Sequence, residues 1–366
     1  MPQSYAEKSS VEILFGGDTA FAKSYHDDYK RKGKTHILEK KGYEYTIKNL
    51  LPILSRADHV ILNLETPITD LEKSEFDGEK DYLHYEDPAV APQLFKKYNV
   101  DAVSLANNHT LDFAEKGLRQ TLQHLGKQGI AVFGAGLTRS EGEAPYIKEF
   151  NIGGSTFQLA VIGTFEYRQD YDEKYRFYAN TKKPGSNTLT IKNTSRQIAA
   201  VKKKHPNAFI IVYPHWGENY VWKNAKQTQM AYALIDAGAD LILGHGAHKV
   251  QEIEQYKGKW IAYSLGNFLF NTLGRFQKLN AEPYSMVAML QLKQQGTGYT
   301  ADLNLYPIFS DNRITNFQPY FLSKREAKKF LKAMKQKSAG VKLKLKRDVT
   351  MEDTRYYIQL PIDLSN

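Results

Sequence analysis

The sequence contains no cysteine. This absence excludes disulfide bonds, thiolate metal sites and cysteine nucleophiles. Any bound metal ion must therefore use histidine, asparagine, aspartate or glutamate side chains. Because the chain has only ten histidines, the places where they occur are informative.

Long apolar runs are also absent. No stretch approaches the roughly 18 apolar residues of a membrane-spanning helix, and the start, MPQSYAEKSSVEILFGGD, lacks the apolar centre of a signal peptide. We therefore expect a cytoplasmic protein, or one whose N-terminal anchor is not part of this sequence. In the second case the protein would lie on the outer face of the cell membrane or be secreted.

The composition is that of a soluble globular protein, with 366 residues, 42% of them hydrophobic and 25% charged. This length suits one large α/β domain with a small appendage. We predict a main domain over residues 10–320 and a basic C-terminal extension over residues 321–366. Neither a solenoid-type repeat nor a low-complexity linker interrupts the chain.

The net charge of +10 has its clearest local excess in KREAKKFLKAMKQKSAGVKLKLKRD, residues 324–348. Such a run suits a polyanion: nucleic acid, anionic lipid, teichoic acid or an acidic polypeptide. The alternative is a solvated lysine-rich helix face followed by an edge strand. Basic residues do not alternate with aromatic ones, so nucleic acid is a poor candidate.

Six short apolar runs, typical of strands, end in residues that bind metals or transfer protons. These ends are Asp18; Asn63 and Glu65; Asn107, Asn108 and His109; His215 and Glu218; His245 and His248; Ser264 and Asn267. Ligands of α/β proteins bind where the carboxyl ends of strands converge. The pattern therefore predicts one composite site, and four of the ten histidines fall in it.

The pair in LGHGAHKVQ is the strongest of these elements. His245 and His248 can both point to one side where a strand ends, and Gly244 and Gly246 let the backbone approach closely. Two exposed loop histidines are the alternative interpretation. The neighbouring strand ends favour metal binding.

The segment SLANNHTLD offers Asn108 as a neutral oxygen ligand and His109 as a titratable group. Asp112 is placed to accept the second ring proton of His109 and to orient it. The alternative for Asn107 and Asn108 is an Asx turn with a helix cap.

Asp18 and Glu65 would supply the negative charge that two divalent cations need. Each residue alone is weak evidence for a metal site. GD after a strand, as at Asp18, is a common turn, and the residues around Glu65 are no more specific. His215 follows the apolar FIIVY and is a candidate ligand, whereas Trp216 either forms a substrate wall or packs at the rim.

Two other stretches frame the predicted site. The pattern predicts helices in EKGLRQTLQHLGKQGI, closed by Gly129, and in TQMAYALIDAG, closed by Gly238. Residues 166–187 have no clean period and are predicted to form a long tyrosine-rich loop that overhangs the site.

Together these motifs resemble the CapA/PgsA poly-γ-glutamate capsule biosynthesis proteins, within the calcineurin-like metallophosphoesterase superfamily. The similarity covers most of residues 12–270. It rests on these ordered motifs: GGD, NLETPI, LANNHTLDF, GLRQTLQHLGKQGIAVFGAG, HWGEN, GADLILGHGAHKVQ and YSLGNFLF. The resemblance implies a four-layer αββα sandwich with two metal ions, Mn, Fe or Zn, at the strand ends.

The resemblance also implies roles for individual residues. The implied metal ligands are Asp18, Glu65 as a bridging carboxylate, Asn108, His215, His245 and His248. His109, with Asp112, would face the substrate and protonate the leaving group. The remaining strand-end residues are candidate substrate contacts: Asn63, Asn107, Trp216, Glu218, Ser264 and Asn267.

Four positions depart from the family pattern. Ala20 stands where the superfamily has a histidine, so we expect one of the two ions to be held weakly. Glu218 comes one residue early, with Asn219 in the usual place of the glutamate. Gly246-Ala247 replaces a His-Pro pair, and Ala114 replaces a glycine.

Two functions remain open on this basis. The first is a hydrolase acting on a phosphoester or a γ-glutamyl bond, favoured by the retention of His109. The second is a non-hydrolytic accessory protein that binds, exports or anchors an anionic polymer, favoured by Ala20 and the basic tail. The expected partners are an anionic polymer or phosphorylated substrate and other capsule-synthesis membrane proteins. Only the positive net charge and the resemblance to the phosphoesterase superfamily favour an enzyme that acts on nucleic acid.

Overall fold

The structure is a computed structural model that describes residues 8–296, 298–338, 340–349 and 354–364. Its strands are β1 Ser10–Ala20, β2 His59–Leu64, β3 Val100–Ser104, β4 Ala131–Phe133, β5 Ala135–Gly136, β6 Tyr146–Ile152, β7 Ser155–Glu166, β8 Gly185–Ser186, β9 Thr188–Leu189, β10 Phe209–His215, β11 Leu241–Leu243, β12 Ile253–Tyr256, β13 Lys259–Ala262, β14 Asn267–Phe270, β15 Tyr284–Gln295, β16 Gly298–Phe309, β17 Tyr320–Phe321, β18 Leu345–Val349 and β19 Thr354–Ile362.

The helices lie between these strands. They are α1 Lys23–Arg31, α2 Ile37–Lys41, α3 Glu44–Ile47, α4 Leu51–Leu54, α5 Ala91–Lys97, α6 Ala114–Lys127, α7 Arg139–Gly142, α8 Gln169–Glu173, α9 Ile191–Lys204, α10 Ala225–Asp236, α11 Asn312–Thr315 and α12 Lys324–Lys337. Among the described residues, no helix is both long and apolar enough to cross a membrane.

Two mixed sheets form the centre of the protein. The larger has the order β18-β19-β16-β15-β1-β2-β3-β4, with β14 beside β1 and β17 beside β16. The smaller has the order β12-β13-β11-β10-β7-β6, with β9 beside β7. Strands β1, β2 and β3 run parallel in the first sheet, and β10, β11 and β13 run parallel in the second.

Three apolar clusters define four layers. The cluster between the two sheets includes Phe15 and Ile61 from the larger sheet and Ile211 from the smaller one. The outer face of the larger sheet packs against α4, α5 and α6, and the outer face of the smaller sheet packs against α9 and α10. The predicted α/β sandwich is confirmed, with the layer order helix, sheet, sheet, helix.

Strand periodicity decides which side chains enter the space between the sheets, because neighbouring residues of a strand face opposite ways. In β10, Ile211 and Tyr213 pack between the sheets, and His215 continues that row. Val212 and Trp216 pack on the outer face instead. This alternation carries His215 to the inner end of the strand and turns Trp216 away from it.

The segments predicted as strands and helices form strands and helices in the structure. The prediction for residues 166–187 differs in one detail. Residues 166–187 do form a long connection over the end of the sandwich, but it includes the short helix α8 and the two-residue strand β8. The basic segment after Ser323 forms α12, and β19 pairs with β16 and extends the larger sheet. Ala327, Phe330 and Met334 of α12 belong to the core between the sheets.

Candidate metal centre

The six predicted strand ends meet at one end of the sandwich. β1, β2 and β3 bring Asp18, Glu65 and the Asn108-His109 pair from one sheet, and β10 and β11 bring three histidines from the other. The carboxyl ends therefore converge from two facing sheets, which encloses the site more completely than one sheet edge does. Asp18, Glu65 and His245 are completely buried.

Asp18 lies at the centre of this arrangement. Its Oδ1 is 3.4 Å from His245 Nδ1 and 3.7 Å from His215 Nδ1, and its Oδ2 is 3.4 Å from His248 Nδ1. Burial alone would raise the pKa of Asp18, but hydrogen bonds with His245 and His248 outweigh burial and hold the pKa well below its usual range. The carboxyl group is thus kept ionised among imidazoles.

Glu65 faces the same space from β2's end. Its Oε1 lies 3.8 Å from the Nε2 atoms of both His215 and His248 and 4.0 Å from Nε2 of His109. Burial, and then repulsion from Asp18, raises its pKa well above the usual range. An ionised Glu65 at this position requires a positive charge beside it.

Two overlapping groups of side chains have the spacing of a metal site. One is Asp18, His215 and His245, and the other is Asp18, Glu65 and His248; within each group the ligand atoms lie within 4.8 Å of one another. Asp18 is common to both groups. The arrangement can therefore hold a metal ion, and it offers two adjoining positions that share one carboxylate.

Buried polar atoms without partners test whether the residues fit a cation. Within the described chain these atoms include both carboxylate oxygens of Glu65, Oδ1 of Asn108 and Nε2 of His245. An unpartnered buried oxygen or nitrogen normally costs 1–3 kcal/mol, roughly. Glu65 and Asn108 are both predicted ligands, and a divalent cation would satisfy their oxygens. His245 faces Asp18 through Nδ1, so its unpartnered Nε2 does not bear on the fit.

His109 lies beside the two groups of candidate metal ligands, and the side of its ring that points away from them is held by Asp112. Its Nδ1 lies 2.7 Å from Asp112 Oδ2, and its backbone N–H donates to Asn107 Oδ1 at 3.0 Å. Burial, and then the charge of Lys80, lowers the pKa of His109 well below its usual value. The hydrogen bond to Asp112 leaves Nε2 facing Glu65.

Two residues that the sequence motifs do not indicate complete this support. Lys80 Nζ lies 2.8 Å from Asp112 Oδ1, and the backbone N–H of His84 donates to Asp112 Oδ2 at 2.6 Å. The His84 and His109 rings lie 4.3 Å apart. Both residues come from the long connection between β2 and α5, which has no periodicity that would single them out.

Three of the six predicted substrate contacts, Asn63, Asn107 and Asn267, support the candidate ligands instead of lining the cleft. Asn63 Nδ2 donates to Asp18 Oδ1 at 3.0 Å, and Asn107 Nδ2 donates to Asn63 Oδ1 at 3.0 Å. Asn267 Oδ1 lies 2.9 Å from His248 Nδ1. Ser264 Oγ accepts from the backbone of Gly266 at 3.1 Å and shapes the turn before β14.

The structure does not bring Trp216 or Glu218 to the cleft. Trp216 is 1% exposed, and its indole N–H donates to Tyr263 O at 2.7 Å within the outer core. Glu218 is exposed and does not line the cleft. Their neighbours Asn219 and Tyr220 do line it, because the chain turns back over the site after Gly217.

The structure explains why position 246, in the loop between His245 and His248, is a glycine. Its backbone N–H donates to Asp18 Oδ2 at 3.1 Å, and its φ of 102° is in the left-handed region. A Cβ here would lie 3.0 Å from His215 Nε2. The glycine therefore leaves room for a ligand imidazole.

The metal groups open into a cleft of about 910 Å³. Asn108, His109, His215 and His248 form its floor. Six basic side chains line it against three acidic ones, Glu79, Asp81 and Asp170; the basic ones are Lys80, Arg168, Lys174, Arg275, Lys278 and Arg313. The excess of positive charge favours an anionic ligand.

Comparison with known proteins places the chain in a family. The family model described as "Bacterial capsule synthesis protein PGA_cap" matches residues 12–272. The chain is 32% identical over 263 residues to the PGA biosynthesis protein CapA of Bacillus subtilis (strain 168), covering 72% of this chain and 65% of that protein. It is 29% identical over 240 residues to the capsule biosynthesis protein CapA of Bacillus anthracis, covering 64% and 56% of the two chains.

A third relative is a probable polyglutamine synthesis accessory protein of Mycobacterium tuberculosis, 25% identical over 330 residues, with 81% of this chain and 84% of that protein covered. The matches span less than two thirds of the two Bacillus proteins. The family match includes every residue of the candidate metal centre. The chain belongs to the bacterial capsule synthesis protein family PGA_cap.

Proposed function

We propose that this protein is a metal-dependent hydrolase of poly-γ-glutamate capsule biosynthesis that cleaves a phosphoester or a γ-glutamyl bond. The observation that carries the proposal is the buried carboxylate of Glu65: neither of its oxygens has a hydrogen-bond partner, and its Oε1 lies 3.8–4.0 Å from three imidazoles. The ionised form of such a group is stable only if a cation occupies the space beside it.

Two divalent ions would be held by the ligands that the resemblance implies: Asp18, Glu65, Asn108, His215, His245 and His248. Mn, Fe and Zn all suit this mixture of ligands. When bound, such ions supply an activated water and neutralise the negative charge that develops on the substrate. Ala20, which is buried in β1, provides no ligand where the superfamily has one.

The chain's own residues then position the substrate and move the proton. The basic side chains of the cleft bind an anionic substrate, and the tyrosines of residues 166–187 cover it. Asp112 accepts a hydrogen bond from Nδ1 of His109 and fixes the ring. Burial lowers the pKa of His109, so the negative charge of a bound substrate must favour the protonated ring, whose Nε2 would then donate to the leaving oxygen or nitrogen.

The test measures bound metal and turnover in the same preparations. Metal content is determined by mass spectrometry, and hydrolysis is followed with a phosphomonoester, a phosphodiester and poly-γ-glutamate, in wild type, His109→Ala and His248→Ala. His205→Ala, a partly exposed histidine before β10, is the matched control.

We expect two ions per chain in the wild type and in the control, lost metal and activity in His248→Ala, and retained metal with at least a hundredfold slower turnover, roughly, in His109→Ala. A wild type without metal would overturn the dinuclear site. Bound metal without turnover of any substrate would favour the accessory role in handling an anionic polymer. Equal activity in wild type and His109→Ala would remove His109 as the acid.

A further inference from the structure

The outward face of α12 carries an unusual density of positive charge. Seven of its 14 residues are lysine or arginine, and Glu326 is its one acidic residue. Six of these cations lie on the side opposite the core, and all are exposed: Lys324, Arg325, Lys328, Lys329, Lys332 and Lys335. Residues three and four apart are neighbours on a helix, so these six form one continuous strip, which we call the α12 strip.

The charges of the α12 strip are not neutralised within the described part of the chain. None of the six cations has an acidic side chain within ion-pair distance there. Glu326 is engaged by the N-terminal cap, where it accepts from Ser323 N–H at 2.9 Å and from the Tyr320 hydroxyl at 3.0 Å. Like charges at this spacing repel one another. Binding of an anion to the strip relieves this repulsion and lowers the free energy.

The apolar side of α12 is fully used by the protein. Ala327, Phe330 and Met334 are buried, and Ser323 and Glu326 form a reciprocal capping box at the start of the helix. A helix that lies in a membrane interface must insert its apolar face into the lipid. α12 has no such face to offer, which favours an acidic polymer over a lipid surface as its ligand.

The end of α12 lies against the metal-binding loop. Lys337 Nζ is 5.5 Å from the centre of the Trp222 ring, and Lys249 Nζ, from the residue after His248, is 3.9 Å from the same ring. Ser338 Oγ accepts from the backbone N–H of Ile253 at 2.9 Å. Trp222 and its two lysines therefore join the α12 strip to the segment that carries His248.

We propose that the α12 strip is a second binding surface, outside the metal cleft, for a flexible polycarboxylate chain. Such a chain would lie along the strip and pass over Trp222 towards the cleft. Lysine ammonium groups suit it, because they are compact charges on flexible stems that adapt to a mobile ligand. This proposal concerns binding and does not depend on hydrolysis at the metal centre.

The charges act additively and weakly at an exposed surface. One exposed ion pair contributes about 0.2–1 kcal/mol, so loss of three lysines should weaken binding by about tenfold, and salt should weaken binding in the wild type. Lys328, Lys332 and Lys335 are the positions chosen for substitution, because each side chain is exposed.

The experiment compares two triple variants with equal changes in net charge. One is Lys328→Gln, Lys332→Gln and Lys335→Gln; the control is Lys202→Gln, Lys203→Gln and Lys204→Gln, exposed lysines at the end of α9. Binding of fluorescently labelled poly-γ-glutamate is measured by anisotropy at low salt and at about 0.15 M salt. The same proteins are tested for sedimentation with phosphatidylcholine vesicles, with and without phosphatidylglycerol.

We expect about a tenfold weaker affinity for the polymer in the α12 variant and a change below twofold, roughly, in the α9 variant. Equal weakening in both variants would mean that only net charge matters, and would overturn the proposal. So would unchanged affinity in the α12 variant, or wild-type binding to anionic vesicles without binding to the polymer. The α12 variant should keep the metal content and the turnover of the wild type, so a failure of the proposed hydrolysis is read separately from a failure of this proposal.

Discussion

Lys80 and Asp112 form a buried ion pair with 2.8 Å between Nζ and Oδ1, and their side chains are 3% and 0% exposed. Asp112 in turn holds His109 through a hydrogen bond of 2.7 Å. Burial raises the pKa of Asp112, and the charge of Lys80 opposes that rise. A lysine from a loop without regular periodicity thus supports the position of the proposed acid.

We predict that Lys80→Met lowers the free energy of unfolding by about 3–5 kcal/mol, since removal of one partner leaves a buried charge uncompensated. Urea denaturation followed by circular dichroism measures this loss. Lys97→Met is the control, because Lys97 pairs with Glu44 in solvent, with side chains 55% and 54% exposed; it should lower the free energy of unfolding far less than Lys80→Met, because solvent screens an exposed pair. Equal losses in the two variants would contradict the structural role of the buried pair.

Gly246→Ala should disturb metal binding through His215. The new Cβ would lie 3.0 Å from His215 Nε2 at a backbone φ of 102°, so both the ring and the backbone must shift. We expect metal affinity to fall about tenfold or more, the effect typical of moving the support of a ligand. Titration with Mn²⁺ or Zn²⁺ monitored by calorimetry measures it.

Gly258→Ala separates crowding from backbone strain in that experiment. Gly258 also has a positive φ, 78°, but a Cβ there meets no atom within 4 Å. This variant should lose stability by about 1–2 kcal/mol and keep its metal affinity. Reduced metal affinity in both variants would mean that strain anywhere in the protein has the same effect, and the argument for His215 would fail.

His26 and His36, which lie away from the metal centre, should make the free energy of unfolding sensitive to acid. Their rings stack at 4.1 Å, and burial lowers the pKa of His26 to about 3 and that of His36 to about 4. Below an unfolded pKa of 6.5 the unfolded chain binds protons that the folded protein excludes. Stability is therefore complete above pH 6.5 and falls as the pH falls towards 4.

His26→Phe should remove part of this dependence. At pH 5 the contribution of His26 is on the order of 2 kcal/mol, so the difference in unfolding free energy between pH 7 and pH 5 should shrink by about that amount. A variant with an unchanged pH profile would show that the stacked pair does not titrate on unfolding.

Ala114 has a φ of 48° at the start of α6, which an alanine adopts at a cost of about 1 kcal/mol. We predict that Ala114→Gly raises the free energy of unfolding by about 0.5–1 kcal/mol. Ala200→Gly, at an exposed position inside α9, should lower it by about the same amount. Differential scanning calorimetry distinguishes the two directions, and destabilisation in both variants would contradict the strain at Ala114.

The strand ends could be found from the sequence because apolar runs followed by polar residues mark where buried strands leave the core. The alternation within β10 even assigns His215 and Trp216 to opposite faces. Applied consistently, it would have removed Trp216 from the candidate substrate contacts. Glu218 carries no comparable signal, since its exposure depends on how the chain turns after Gly217.

Asp18 shows where periodicity stops being sufficient. Alternation from Ile13 and Phe15 would place Asp18 on the outer face of the sheet, with Leu14. The pairing of β1 with β2 shifts register between Phe15 and Asp18, and this irregularity turns the carboxylate towards Asn63 and the histidines of the other sheet. Such a shift depends on how β1 pairs with the neighbouring strand, and nothing in the sequence of β1 itself indicates it.

The sequence by itself determined the fold class, the strands and helices, and which residue types gather at the strand ends, because these follow from local periodicity and from short motifs. Only the tertiary structure decided that the ends of two facing sheets close around Asp18. It also decided that Lys80 and His84 brace Asp112 and that α12 joins the core with its lysines outward. These relations join residues far apart in the chain, and they are fixed by packing and by the need to compensate buried charge.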